Sequence, residues 1–305
     1  MFLLIENSLS DFGKALAAAA SKRSMEVVHL TASGIVNEIS YSFQLGDRGE
    51  GLFLAIGNTT FTIEDIHGCF CGLDSFSPSL WSHFSGKDAE YAARETHALW
   101  LAILTALDGK SINPPAPDLL GGTVLSPVEL FSEAKECGLS IPMVLYTESG
   151  VVAAELLEKG SPLMVADLGV SDRGEILFTS SNRSEFPGAD NCHMVRELVP
   201  GRPFWISLTG NSTLVCTRNS GGNPESCSAD RIPLKTRKAL EDLQRKLNLR
   251  VCEYSFVRTG DDRWILLNAR RIPELSWLTE AEKTLDGILN ILPRQNIPGK
   301  ERLNG

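Results

Sequence analysis

The sequence predicts an α/β (α+β) fold built from three units, at residues 1–115, 116–190 and 191–305. Helical stretches, with apolar residues three and four positions apart, follow extended stretches in which apolar and polar residues alternate. A proline-rich segment, Ser111–Asp118, separates the first two units, because three prolines within four residues prevent a helix and favour an extended connection. A polar stretch, Ser180–Asn191, precedes the third unit.

The first unit begins with alternating strands and helices. A buried strand at Phe2–Ile5 precedes an alanine-rich helix at Asp11–Lys22 and a second strand at Val27–Thr31. Period-two alternation between glycine-rich turns then predicts antiparallel hairpins, with strands at Ile39–Leu45, Gly51–Ile56 and Thr60–Ile63. A helix with one apolar stripe follows from Asp88 to Leu107.

The second unit is smaller. Its first helix runs from Val128 to Cys137 and ends at Gly138. The predicted elements that follow are strands at Ile141–Tyr146, Leu163–Leu168 and Ile176–Phe178, and a short helix at Val151–Glu158.

The third unit is mainly a strand meander. Its predicted strands are Met194–Val199, Phe204–Leu208 and Leu214–Thr217. Asn219–Asp230 is rich in Ser, Gly and Asn, which predicts a disordered loop. A helix at Leu234–Leu247 leads to two further strands within Val251–Pro273, and a last helix carries apolar residues on one face from Trp277 to Leu292.

The composition is that of an ordinary globular protein and excludes some function classes. Hydrophobic residues make up 43% and charged residues 22% of the chain. The net charge of -9 argues against a nucleic-acid partner, because binding a phosphate backbone needs a basic surface. No apolar run reaches the ~20 residues of a membrane helix, and Glu6 ends the apolar Phe2–Ile5, so we expect no membrane association and no signal peptide. Seven scattered cysteines favour free thiols and a cytoplasmic location.

Five passages, in this order, carry a resemblance to a known family. They are FTIEDIHGCFCGLD, then INPP followed by SPVELFSEAKECGLSIPMVLYT, SPLMVADLG, HMVRELVPGRPFWISLTGNSTLVCT, and the run VCEYSFVRTGDDRWILLNARRIP. Together they resemble the ATP-grasp superfamily, and within it the ribosomal-protein glutamate ligases and the microviridin-type (graspetide) peptide ligases. The resemblance covers nearly the whole chain. It implies a pre-ATP-grasp domain, a small central α/β lid domain and a C-terminal antiparallel-sheet domain.

The resemblance also implies ATP and magnesium as cofactors, and a reaction through an acyl phosphate that an amine or hydroxyl then displaces. Such catalysis depends on cations around the phosphates and on acids that hold the metal. At the positions that match the two family lysines stand Pro127 and Ala166, the latter followed by Asp167. Trp205 stands in place of the family arginine, where it would fill the cleft.

The positions that match the family's metal-binding residues also lack the family residue types. Where the family has an Asp and a Glu-x-Asn, this chain has Ser255, Asn268 and Arg270. A serine hydroxyl is a weak magnesium ligand, an amide adds no charge, and an arginine repels the ion. Only Glu197, which matches the acid that contacts adenine or ribose, keeps the family residue type. We therefore expect no catalytic residue, no metal ligand and no cofactor.

Arginines around the former nucleotide cleft suggest a different ligand. Arg270 and Arg271 are adjacent at the former metal position, and Arg202 lies on a strand of the same unit. Because a guanidinium binds carboxylate or phosphate directly, these three are candidates for an anion site that needs no magnesium. Solvated surface arginines are the ordinary alternative.

Two other patterns favour structural roles. His67, Cys69 and Cys71 alternate on one strand, but three ligands without a second cluster do not complete a metal site. Cys192 and His193 are adjacent on a strand and face opposite ways, so they are poorly placed as a nucleophile and its base.

Two functions from different classes remain. The first is a catalytically degenerate ATP-grasp-like protein, a pseudoenzyme that binds a peptide or protein partner in a modification system. The partner would be a substrate peptide or an active ATP-grasp homologue, and a homodimer is expected by analogy with the superfamily. The alternative is an active ATP-dependent carboxylate–amine (or hydroxyl) ligase. A third possibility is a sensor that binds a small anion at Arg270 and Arg271.

Overall fold

The computed structural model describes residues 1–46, 49–56, 59–117, 119–124, 126–148, 155, 162–167, 176–179, 192–210, 212–219, 222–274 and 281–292. The predicted helix at Val151–Glu158 (Glu155 aside), the predicted loop at Ser180–Asn191 and the first residues of the last helix, 277–280, lie outside these ranges.

The strands are β1 (Phe2–Ile5), β2 (Val27–Leu30), β3 (Ile39–Gly46), β4 (Gly49–Ile56), β5 (Thr59–Thr62), β6 (Gly68–Cys71), β7 (Val144–Thr147), β8 (Leu163–Asp167), β9 (Ile176–Phe178), β10 (His193–Glu197), β11 (Arg202–Thr209), β12 (Ser212–Arg218), β13 (Pro224–Cys227), β14 (Val251–Arg258) and β15 (Trp264–Arg270). The α-helices are α1 (Asp11–Lys22), α2 (Ala32–Asn37), α3 (Gly86–Ala106), α4 (Pro127–Glu136), α5 (Leu234–Lys246) and α6 (Ala281–Asn290). None of the described helices is long and apolar enough to span a membrane.

The N-terminal unit contains two sheets. In the first, β1 lies between β2 and β6 and pairs with both in parallel. Both of its faces are covered: Leu3 packs in a cluster with Trp100 of α3, and Leu4 in a cluster with Leu16 of α1. This explains the continuous apolar run of β1, since a strand buried on both faces has no polar side. The second sheet, β3-β4-β5, confirms the predicted antiparallel hairpins.

One short helix of this unit was not predicted. Thr31, expected as the last residue of the second strand, is the N-cap of α2, and its hydroxyl accepts a hydrogen bond from Gly34 N at 2.9 Å. The strand therefore ends one residue earlier, at Leu30.

The sheet of the central unit has the order β7-β10-β8-β9, all antiparallel. It includes β10, although the sequence predicts this strand in the third unit, in a meander with the two strands that follow. The helix α4 of the central unit begins with a capping box, in which Ser126 and Glu129 bond each other's backbone N–H groups. Pro127 occupies the first turn, where the missing N–H of proline costs nothing.

The C-terminal unit has the sheet order β13-β12-β11-β14-β15. One face of this sheet packs on α5, with Ile206 and Tyr254 in the same buried cluster as Leu240 and Leu243. The prediction of a disordered loop at Asn219–Asp230 was wrong in part: Pro224–Cys227 forms β13, which pairs with β12. Pairing with an edge strand orders this segment, although its polar composition suggested otherwise.

The last helix, α6, packs on the first unit and also contacts β11 and β12 of the C-terminal sheet. Its Ile288 lies in one buried cluster with Phe2 and Leu16. Two ion pairs, Lys22–Glu282 at 2.7 Å and Arg23–Asp286 at 2.9 Å, join it to the end of α1.

Asn113 and Arg271 connect the third unit to the first, and Arg271 also connects it to the start of the second. The Asn113 side chain makes four hydrogen bonds to backbone: Oδ1 accepts from Arg250 N and Val251 N at 2.9 Å each, and Nδ2 donates to Val251 O and Arg271 O at 3.1 Å each. The guanidinium of Arg271 donates to Gly122 O at 3.1 Å and forms an ion pair with Asp74.

Candidate functional site

A row of three side chains crosses the C-terminal sheet on the face opposite to α5. Trp205 of β11 is the direct partner of Ser255 of β14, which is the direct partner of Asn268 of β15. Direct partners on antiparallel strands point to the same side of the sheet, with Cβ atoms about 5 Å apart. The structure therefore brings together three positions that the sequence identified separately. A β-bulge follows Ser255, and such a bulge turns the next side chains out of the regular register.

The next pair on this face is Glu253 with Arg270. Arg270 forms an ion pair with Glu274, and both of those side chains are about half exposed. Glu253 is only 1% exposed, and its Oε2 accepts a hydrogen bond from Glu274 N at 3.2 Å. Its Oε1 is buried and has no hydrogen-bond partner among the described residues. Burial raises the pKa of Glu253 to about 7.

Glu253 was missed by the sequence reasoning. The signal was present, since a carboxylate interrupts the otherwise apolar start of β14 between Cys252 and Tyr254. On one face of a strand, residues two apart are neighbours, so Glu253 lies next to the family metal position at Ser255.

Trp205 is partly covered by an arginine. The guanidinium carbon of Arg218 lies 5.8 Å from the Trp205 ring centroid, within the range of a cation–π contact. The position that the resemblance matches to the family arginine thus holds an aromatic ring.

The three candidate anion-binding arginines do not share one surface. Arg202 lies on the face of the core: its Nε donates to Thr217 Oγ1 at 3.0 Å, and its guanidinium carbon is 5.7 Å from the ring of Phe204. An ion pair with Glu225 at 3.4 Å holds it there. The side chain of Arg271 is 10% exposed and bonds across the interface of the first and third units. Of the three, Arg270 alone lies on the face of Trp205.

The remaining candidate positions lie on the central unit. Ala166 of β8 pairs with Met194 of β10, and Asp167 with His193. The carboxylate of Glu197 accepts a hydrogen bond from Met143 N at 3.1 Å, and the Glu197 N–H donates to Met143 O at 3.1 Å. Glu197 therefore joins the end of β10 to the residue before β7.

No group of three metal-binding side chains occurs in the part of the chain that the structure describes. His67 Nδ1 lies 2.8 Å from the amino group of Met1. Cys69 and Cys71 are buried, which raises the pKa of the Cys71 thiol to about 12 and that of Cys69 well above its usual range.

Several solved structures, among them a macrocyclase and ATP-grasp proteins, have a fold similar to that of this chain. The macrocyclase MdnC of Microcystis aeruginosa MRC, bound with its precursor peptide MdnA, matches with a TM-score of 0.74 and 14% sequence identity over 97% of this chain and 100% of that one. A Chryseobacterium gregarium RiPP-associated ATP-grasp ligase, in complex with ADP and a leader and core peptide, matches with a TM-score of 0.70 and 14% identity over 96% and 98% of the two chains. The RimK domain ATP-grasp protein of Sphaerobacter thermophilus DSM 20745 matches with a TM-score of 0.56 and 14% identity over 96% and 99%.

Neither a protein-family model nor a curated protein sequence matches this chain. At these identities the likeness of the solved structures concerns the fold. The chain therefore has an ATP-grasp-like fold, as the resemblance in its sequence predicted.

Proposed function

We propose that this chain is a catalytically degenerate ATP-grasp-like protein that binds a peptide or protein partner in a peptide-modification system. The row Trp205–Ser255–Asn268 carries the proposal. In an ATP-grasp ligase this face supplies the acids that hold magnesium, but here it presents an indole ring, a hydroxyl and an amide.

The neighbouring charges support the same conclusion. Arg270 brings a positive charge to the face where a metal ion would bind, and Glu253 lies opposite it. Ala166 and Pro127 offer no cation to a phosphate, and Pro127 serves to start α4. These residues do not fit a magnesium–nucleotide centre.

A peptide is the partner that the comparisons favour. MdnC and the Chryseobacterium ligase were both solved with peptides bound, and their chains match this one over nearly their whole length. We propose a peptide or an active homologue as the partner, with a homodimer as a further expectation, and a cytoplasmic location.

Calorimetric titration with ATP and ADP, with and without magnesium, tests the loss of catalysis. We expect no heat and no thermal shift with either nucleotide. Magnesium-dependent binding in the micromolar range would contradict the proposal. Binding without magnesium that is lost in Arg270→Ala would instead support the anion sensor.

A second candidate function is an active carboxylate–amine (or hydroxyl) ligase, and Glu253 is the observation in its favour. This carboxylate lies on the correct face, next to Ser255, and one of its oxygens lacks a partner among the described residues. In that case Glu253→Gln would abolish magnesium-dependent nucleotide binding, while Glu225→Gln, on the edge strand β13, would leave it unchanged.

A further inference from the structure

A groove with a volume of about 640 Å³ lies between α4 and β7. The α4 side chains that line it are three, four and seven positions apart, so they form one stripe of the helix. They are Val128, Phe131, Ser132 and Lys135. Residues 139–144, Tyr146 and Arg263 form the other walls.

The groove exposes apolar side chains. Val128 and Met143 are 45% and 48% exposed, although both are large apolar residues. Tyr146 also lines the groove, but its hydroxyl is buried and out of reach of an occupant.

The charge of the groove differs in sign from that of the chain. The acids of α4 are used elsewhere: Glu129 caps the helix, and Glu133 and Glu136 form ion pairs with Lys246 of α5. Lys135 faces the groove and has no ion partner in the described part of the chain. The described lining contains two cations, Lys135 and Arg263, and no acid, although the net charge of the chain is -9. Arg263 forms an ion pair with Asp261 at 2.7 Å, so Lys135 carries the positive charge that the groove offers to a ligand.

The second wall of the groove is a strand at a sheet edge. Val144 and Tyr146 are two positions apart and therefore share one face of β7. Among the described strands, β7 pairs only with β10. An extended peptide binds such an edge through backbone hydrogen bonds and places alternate side chains in the adjoining pockets.

We propose that this groove binds an extended peptide segment in which acidic and apolar side chains alternate. The apolar side chains would pack on Val128 and Met143, and an acidic side chain would pair with Lys135. The inference rests on the proposed function for the idea that the partner is a peptide. It adds the binding surface and the chemical class of that peptide.

Two fluorescently labelled hexapeptides test the groove: one alternates Glu with Leu or Val, and the other carries Lys in place of each Glu. Measured by anisotropy, the acidic peptide should bind the protein at least about tenfold more tightly than the basic one. Lys135→Glu should reverse this preference. Lys238 is also an exposed lysine and lies on α5 outside the groove, so Lys238→Glu is the matched control and should leave the preference unchanged.

Met143→Ser tests the apolar anchor and should weaken acidic-peptide binding about fivefold or more. The proposal would be refuted if the protein bound neither peptide at about 1 mM or bound both with the same affinity. It would also be refuted if Lys135→Glu and Lys238→Glu changed the peptide affinities alike. The nucleotide titration is independent of this result. If the protein bound nucleotide with magnesium and Lys135→Glu reversed the peptide preference, the proposed loss of catalysis would be wrong and the groove would be supported. If it bound no nucleotide and Lys135→Glu left the preference unchanged, the loss of catalysis would be supported and the groove would be wrong.

Discussion

Replacing Asn113 by alanine removes four hydrogen bonds at once. All four join its side chain to the backbone of residues 250, 251 and 271, and the Asn113 side chain is almost fully buried. Val251 is fully buried, so water cannot easily replace the lost partner of its N–H and C=O groups. Each unsatisfied buried group costs about 1–3 kcal/mol, and two such groups give a loss of about 4 kcal/mol.

Urea unfolding of the wild type and Asn113→Ala measures this loss, which is a large part of the 5–15 kcal/mol typical of a folded protein. Hydrogen exchange at the Val251 amide gives a local measurement, and its protection should fall in the variant. Asn7→Ala is the control, because Asn7 is exposed and its Oδ1 accepts one bond, from Ala32 N at 3.3 Å. If Asn113→Ala lost less than about 1 kcal/mol, the four bonds would not hold the two units together as argued.

Two further predictions concern stability. Because burial raises the pKa of Glu253 from 4.5 to about 7, its contribution to stability is fully present below pH 4.5 and is lost as the pH rises to 7. At pH 8 the free energy of unfolding of Glu253→Gln, measured in urea, should therefore exceed that of the wild type by up to about 3 kcal/mol. Equal stability of the two proteins at pH 8 would contradict a buried charge at Glu253. Gly121→Ala would place a Cβ 2.6 Å from Cys71 O and should lower the free energy of unfolding in urea by about 1–3 kcal/mol. Gly109→Ala is the control and should be nearly neutral, because its Cβ would have no atom within 4 Å. Equal effects of the two substitutions would show that the backbone moves at Gly121 to make room.

Much of the fold could be predicted from the sequence, since the hairpin strands and the amphipathic helices follow from local periodicity. The row across the C-terminal sheet could be predicted only in part. The short turn of the hairpin sets the register from Arg258 to Phe256, which would put Leu267 opposite Ser255. The β-bulge after Ser255 shifts the register by one residue and puts Asn268 there, and spacing alone does not reveal this bulge.

The arginines show where this reasoning stops. Arg270 and Arg271 are adjacent in sequence, but adjacent residues at a strand end point in different directions. The sequence does not reveal that Asp74, almost two hundred positions away, binds Arg271. Similarly, the face on which Arg202 lies depends on the register of β11 against the core.

Asn113 stood within a passage that resembles the family, but its role depends on contacts across 138 positions with Val251. The strand β13 was missed for a related reason. Its residues are polar, and its order comes from pairing with β12 and not from its own composition.

The packing of α6 on the first unit has a consequence for synthesis on the ribosome. One face of β1 is covered by Leu285, Ile288 and Leu289, which are translated about 270 residues after Leu16. At 5–20 residues per second, the nascent chain carries Phe2 and Leu4 without their final cover for about 15–50 s. The N-terminal unit therefore completes its core only after α6 has been translated, and its folding is not vectorial.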